Sequence, residues 1–216
     1  MIEIALRIAV AGALGYAVGS ISSGYIVGKL YRNVDLRTIG SGSTGATNTF
    51  RALGLGAAVL VAALDVLKGA VAVWIATALV SEPYDERTIA AACGAVGAVA
   101  GHCWPAFLEG RGGRGVATGF GALLFVASPA WLASIAAFAV ALALTRMVSV
   151  GSLAAVGGAL AGYGLFVAAG YISFHWAVLA FILVGGLIVV VRHRANIERI
   201  VRGSEPRLGQ PASRPT

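Results

Sequence analysis

GLGAAVLVAALDVLKGAVAVWIATALV, residues 54–80, is the stretch that decides the fold. Its only charges are Asp65 and Lys68. As a helix it would rise about 40 Å, more than the roughly 30 Å hydrocarbon core of a bilayer. It reads as a transmembrane span. Similar runs lie at about 5–30, 88–104, 150–170 and 173–191. A longer run, 116–145, would rise about 45 Å as one helix, which is too long for one crossing. Ser128-Pro129 lies within it, and a residue before proline is pushed out of helical geometry. The run is therefore divided into spans at about 114–127 and 129–146. The expectation is an all-α polytopic membrane protein with about seven transmembrane helices, although five or six also fit the hydropathy. Residues 1–216 read as a single membrane-embedded domain, with 192–216 as its tail.

Composition agrees. Of 216 residues 58% are hydrophobic and only 12% charged, and mean hydropathy is +0.86. Soluble domains carry about a quarter charged residues, so a soluble domain with an anchor is excluded. Glu3 spoils a basic n-region, and the first apolar stretch is too long for a signal-peptide core, so it reads as a retained first span.

The net charge of +7 would point to nucleic acid in a soluble chain. Here its placement points to the membrane and its anionic lipid, with no nucleic acid partner. With seven spans, thirteen of the sixteen Lys and Arg residues fall on one side. The positive-inside rule makes that side cytoplasmic, with the N-terminus outside and the C-terminus inside. Cys93 and Cys103 would stand about 15 Å apart on one helix, beyond disulfide reach. Neither they nor His102 has metal-ligand spacing, so no metal is expected. Small residues at i,i+4, Gly15/Gly19 and Gly24/Gly28, read as close helix packing.

The orientation gathers three polar stretches on the cytoplasmic side: 38–54 (TIGSGSTGATNTFRALG), 101–121 (GHCWPAFLEGRGGRGVATGFG) and 192–209 (RHRANIERIVRGSEPRLG). Glycines and small hydroxyl residues expose backbone N–H groups, and arginines add forked donors, which suits phosphate or carboxylate. GSGSTGAT from Gly40 is no P-loop, since Ala46 holds the lysine position. GRGGRG from Gly110 joins two spans rather than a strand and a helix. Arg51, Arg111 and Arg114, set among glycines and hydroxyls, read as binding groups. Arg199, Arg202, Arg207 and Arg214 read as headgroup anchors. Asp65 and Lys68, at i,i+3 inside a span, read as a structural pair. His175 reads as incidental, near the outer interface.

Together the three stretches resemble the bacterial membrane glycerol-3-phosphate acyltransferases that use acyl phosphate as donor, over nearly the whole chain. That family's first motif, roughly S-G-N-x-G-A-T-N and an arginine, corresponds to Ser41 through Asn48 with Arg51. Its second, G-H-x-x-P-x-F then F-K-G-G-K-G-V-A-T, is met by Gly101-His102, Pro105, Phe107, Gly112-Gly113 and Val116-Ala117-Thr118. Its third, R-H-x-x-N-I ending in G-x-E-P, is met by Arg192-His193, Asn196-Ile197 and Gly203 through Pro206. A D-x-L-K-G pattern runs from Asp65 to Gly69. The second motif's lysines are Arg111 and Arg114 here, its phenylalanine is Gly110, and Ser43 replaces an asparagine. Arginine keeps the charge but not the geometry of lysine.

The resemblance implies transfer of a fatty acyl group from acyl phosphate to the sn-1 hydroxyl of glycerol 3-phosphate, at the cytoplasmic face of a bacterial inner membrane, without a cofactor. The residues it implies as catalytic are Ser41, Arg51, His102, His193 and Asn196. Those it implies for substrate binding are Gly42, Thr47, Asn48, Arg111, Gly112, Gly113, Arg114 and Gly115, with Glu205 structural. His102 and His193 are both candidate bases. The leaving phosphate, or glycerol phosphate itself, is an alternative proton acceptor. The rival reading is a small transporter for a phosphorylated solute, against which stands the lack of an internal repeat. Oligomeric state and acyl-chain preference are open.

Overall fold

The structure, a computed structural model, describes residues 1–81 and 83–210, and among these it is entirely helical and turn. Glu82 of the acidic loop and Arg214 of the tail lie outside the described residues. The helices are α1 (Ile2–Gly19), α2 (Ser23–Arg32), α3 (Ala46–Leu53), α4 (Leu55–Leu79), α5 (Tyr84–Cys103), α6 (Val116–Val126), α7 (Ser128–Thr145), α8 (Val148–Ala168), α9 (Trp176–Arg192) and α10 (Arg194–Val201).

Five segments are long and apolar enough to cross a membrane, with α1 and α2 counted together, and six if α9 and α10, bent by 61°, form one broken span. Seven apolar segments follow one another in the expected order. However, α6 has 11 residues and rises only about 16 Å, half a hydrocarbon core. The long run does break beside the proline: α6 ends at Val126, and Pro129 sits in the first turn of α7, where its missing N–H costs nothing.

Lipid surrounds such helices with hydrocarbon, so they associate by close packing rather than by escape from water. Backbone meets backbone at the α1–α5 seam. A Cβ on Gly15 would overlap the backbone of Gly94, one on Gly19 that of Ala98, and one on Gly97 that of Gly12. At the α4–α6 crossing, Gly69 lies under the Thr118 carbonyl and Gly121 under that of Val66. Gly24 and Gly28 of α2 face the carbonyls of Thr44 and Val34, so they seat a loop rather than another span.

The end of the bundle away from the polar stretches is closed by His175. Its Nδ1 accepts from Ala177 N–H at 3.2 Å and caps α9. Its backbone exchanges hydrogen bonds of 2.7 and 3.0 Å with the Tyr163 hydroxyl, and Nε2 lies 3.6 Å from Asp85. His175 thus joins α5, α8 and α9 at the end away from the polar stretches. Cys93 and Cys103 are both free thiols.

Candidate active site

The first polar stretch is wound around one side chain. Asn48, in the first turn of α3 and 2% exposed, donates through Nδ2 to the carbonyls of Leu36, Ile39 and Ser43 at 3.1, 3.0 and 2.9 Å. Its Oδ1 accepts from Ser41 N–H at 3.1 Å. An amide in that position fixes the loop's course, leaving Ser41 exposed on the rim. Gly42 turns with φ +68°, a conformation that favours glycine. Arg37 is committed elsewhere: it forks onto Asp35 at 2.8–3.1 Å and stacks on Tyr25.

In the second stretch, Gly112 and Gly113 are buried against the end of α5. A Cβ on Gly113 would overlap the His102 ring, and one on Gly112 the His102 carbonyl and Pro105. Gly113 N–H donates to the His102 carbonyl at 3.0 Å. From α9, Arg192 donates through Nε to Gly113 O at 3.1 Å and through Nη2 to Gly112 O at 3.2 Å, with its guanidinium 5.6 Å from the Trp104 ring. The missing Cβ atoms thus admit close packing of the loop, and neither glycine lines the cavities described below. Gly115, with φ +85°, turns the chain into α6. Arg111 is exposed and outside the cavities, so Arg114 is the arginine this loop sends inward.

The third stretch folds back on itself through Glu205. Its carboxylate accepts from Asn196 Nδ2 at 2.6 Å, Ser149 Oγ at 2.7 Å and Arg199 Nε at 2.7 Å. Burial opposes its ionisation, but these donors hold the carboxyl below its ordinary value. His193 sits at the bend between α9 and α10, 1% exposed. Its Nδ1 lies 2.8 Å from the Val189 carbonyl, which accepts and therefore fixes the proton there, leaving Nε2 an acceptor. Burial pushes its pKa down to about 4, so the ring is neutral at physiological pH. Leu208 N–H donates to Arg146 O at 2.6 Å and ties the tail to the α7–α8 corner.

Below the loops, Asp65 is 1% exposed and accepts at Oδ1 from Ser23 Oγ at 2.9 Å and Lys68 Nζ at 2.8 Å, with His102 Nδ1 at 3.5 Å. Lys68 also donates to Ile21 O at 2.9 Å. Among the described residues no group of three or more His, Cys, Asp or Glu is placed to hold a metal.

Two neighbouring cavities result. The larger, about 750 Å³, is lined by polar groups from all three stretches, among them Ser41, Gly42, Arg51, Arg114, Asn196 and Glu205. The smaller, about 270 Å³, takes in Thr47, Gly115, His102 and His193 and runs along apolar walls at Val66, Val116, Phe120 and Phe138. Ser43 and Arg114 line both. Val116, Phe120 and Ser152 continue into an apolar slot of about 60 Å³ between α6, α7, α8 and α9. Arg51 and Arg114 make no side-chain hydrogen bond among the described residues. Burial lowers the pKa of both, that of Arg114 to about 10, and both remain cations at neutral pH.

A glycerol-3-phosphate acyltransferase family model matches residues 9–203. The chain belongs to that family. Among its curated relatives, the glycerol-3-phosphate acyltransferase of Synechococcus sp. (strain JA-3-3Ab) is 45% identical over 91% of this chain and 91% of its own. That of Gloeobacter violaceus is 41% identical over 93% of this chain and 95% of its own. The crystal structure of PlsY, an integral membrane glycerol 3-phosphate acyltransferase in its glycerol 3-phosphate form, superposes with a TM-score of 0.81 at 35% identity, covering 94% of this chain and 96% of PlsY. Its lysophosphatidic acid form gives 0.79 at 33% identity, covering 94% and 95%. The all-helical membrane fold is therefore shared with the family.

Three residues of this acyltransferase site escape a reading of the sequence. Arg192 resembles a headgroup anchor by position but clamps the glycine loop; Trp104 carries its guanidinium; Ser149 receives the tail. None of these roles can be read locally, because each acts through a partner at least 50 positions away along the chain.

Proposed function

We propose that the chain transfers a fatty acyl group from acyl phosphate to the sn-1 hydroxyl of glycerol 3-phosphate, giving lysophosphatidate and inorganic phosphate, the first step of phospholipid synthesis. Residues 1–216 act as one domain in the bacterial inner membrane, with the site at the cytoplasmic face. One observation carries this reading: two guanidiniums, Arg51 and Arg114, without a hydrogen-bond partner among the described residues, stand on the wall of a polar chamber, and Arg114 also borders a chamber with apolar walls. Such a pair of rooms suits an anionic, water-soluble acceptor on one side and the head of an anionic lipid on the other.

In this reading Arg51 and Asn196 face the acceptor, and Arg114 holds the donor phosphate where the rooms meet. The acyl chain continues past Val116 and Phe120. The acceptor oxygen attacks the acyl carbonyl carbon, the bond from that carbon to the phosphate oxygen breaks, and phosphate departs. Bringing two phosphates together against their repulsion is the main catalytic demand, met by fixed guanidiniums. Burial weakens His193 as a base, whereas a phosphate dianion takes up a proton with a pKa of about 6. The hydroxyl proton therefore goes to a substrate phosphate, and His193 Nε2 orients the acceptor. Ser41 lies on the exposed rim with no base hydrogen-bonded to its hydroxyl, which favours direct transfer over an acyl-serine.

The test is phosphate release by purified protein given palmitoyl phosphate and glycerol 3-phosphate, beside palmitoyl-CoA and an Arg51→Ala variant. Release matched by lysophosphatidate, absent with the CoA donor and lost in the variant, supports reaction and donor together. Folded protein that binds glycerol 3-phosphate yet releases nothing overturns the reading.

A further inference from the structure

The mechanism above leaves one buried charged cluster unused. Asp65, Lys68, Ser23 and His102 are all buried, and they join α2, α4 and α5 inside the bundle. Asp65 and His102 both border the smaller cavity, and on the His102 ring Gly113 rests with no room for a side chain. The next residue is Arg114, the side chain shared by both chambers.

We propose that His102 is a positioning residue: held by Asp65, its ring is the platform that sets the height of the glycine loop and so places the Arg114 guanidinium between the two chambers. Lys68 and Ser23 fix Asp65 by their hydrogen bonds, Asp65 fixes the orientation of the imidazole through Nδ1, and the imidazole supports Gly113 from below. Arg192 closes the loop from above through the Gly112 and Gly113 carbonyls. His102 Nε2 faces the place that a Gly113 Cβ would take, and in this reading the ring supports the loop rather than serving as a base.

This inference rests on the proposed reaction for its kinetic arm only. Gly113→Ala drives a methyl into the ring and lifts the loop. It should raise KM for palmitoyl phosphate about tenfold or more while leaving KM for glycerol 3-phosphate within about twofold. His102→Ala/Gly113→Ala removes the ring the methyl strikes, so the double variant should have the lower KM for palmitoyl phosphate and the higher melting temperature of the two. Asp65→Asn should reproduce the split in KM, and His102→Gln should retain more donor affinity than His102→Ala. A double variant no better than Gly113→Ala in KM and melting temperature overturns the platform. So do equal rises in both KM values, or an Asp65→Asn enzyme with wild-type values. If Gly113→Ala does not fold, recovery of folded double variant is the expected result, and failure of both while His102→Ala folds is the overturning one. Wild-type protein inactive with these substrates would sink the proposed reaction, and the melting-temperature comparison would still decide the platform.

Discussion

Ser149 donates its hydroxyl to Glu205 at 2.7 Å, joining the start of α8 to a tail 56 positions further along the chain. The bond is buried, and it anchors the carboxylate that also receives Asn196 and Arg199. A hydrogen bond to a charged group contributes about 1.5–3 kcal/mol. Ser149→Ala is therefore expected to lower the melting temperature by several degrees. Glu205→Gln should do more, because it also leaves Arg199 without its counter-ion. A Ser149→Ala protein melting with the wild type would show that α10 and the Leu208–Arg146 bond hold the tail without Ser149.

Arg51 and Arg114 invert the usual relation between stability and activity. Neither makes a side-chain hydrogen bond among the described residues, and Arg114 is discouraged as a cation by burial and, against the favourable charge of Glu205, by its neighbours Arg199, Arg51 and Arg192. Arg114→Ala should keep or raise the melting temperature while cutting kcat/KM by about a hundredfold or more. Inorganic phosphate should raise the melting temperature of the wild type more than that of the variant. A variant that melts well below the wild type would mean that Arg114 supports the fold.

The pH dependence has a definite sign. His193 falls from the ordinary 6.5 to about 4 on folding, so between those values the unfolded chain binds a proton that the native chain does not. Stability is complete above pH 6.5 and declines as pH falls toward 4. Glu205, also depressed, adds its loss below its ordinary 4.5. Melting curves from pH 8 to 4 should show this slope, and His193→Gln should flatten its part above pH 4.5. No slope between 6.5 and 4.5 would count against a buried neutral imidazole.

Glycines divide by what faces them. Gly15→Ala should sharply reduce the yield of folded protein, since the backbone of Gly94 occupies the space. Gly56→Ala and Gly164→Ala, on α4 and α8 with nothing within 4 Å, should be neutral or stabilise by about 0.5–1 kcal/mol. Expression and melting of the three variants in one detergent separates the cases.

Much of this was legible in the residue order. Hydropathy placed the apolar segments, the break beside Pro129 and the three polar stretches that meet in one site. The short span at about 114–127 was legible as well, and α6 falls within it at Val116–Val126. The duties of Asn48, Gly112 and Gly113 were not. A glycine or an amide in a loop looks the same whether it faces a ligand or its own backbone. What separates the two is a partner distant in sequence: Leu36 and Ile39 for Asn48, and His102, Pro105 and Arg192 for the glycines.

The seam between α1 and α5 carries an implication for genetic repair. A bulky replacement at Gly113 has a remedy within reach, since the imidazole it strikes can be trimmed. Gly15 meets Gly94, which has nothing left to remove, and Gly97 meets Gly12 in the same way. A selection for second-site suppressors should therefore rescue lesions in the glycine loop and return only revertants for lesions in the seam.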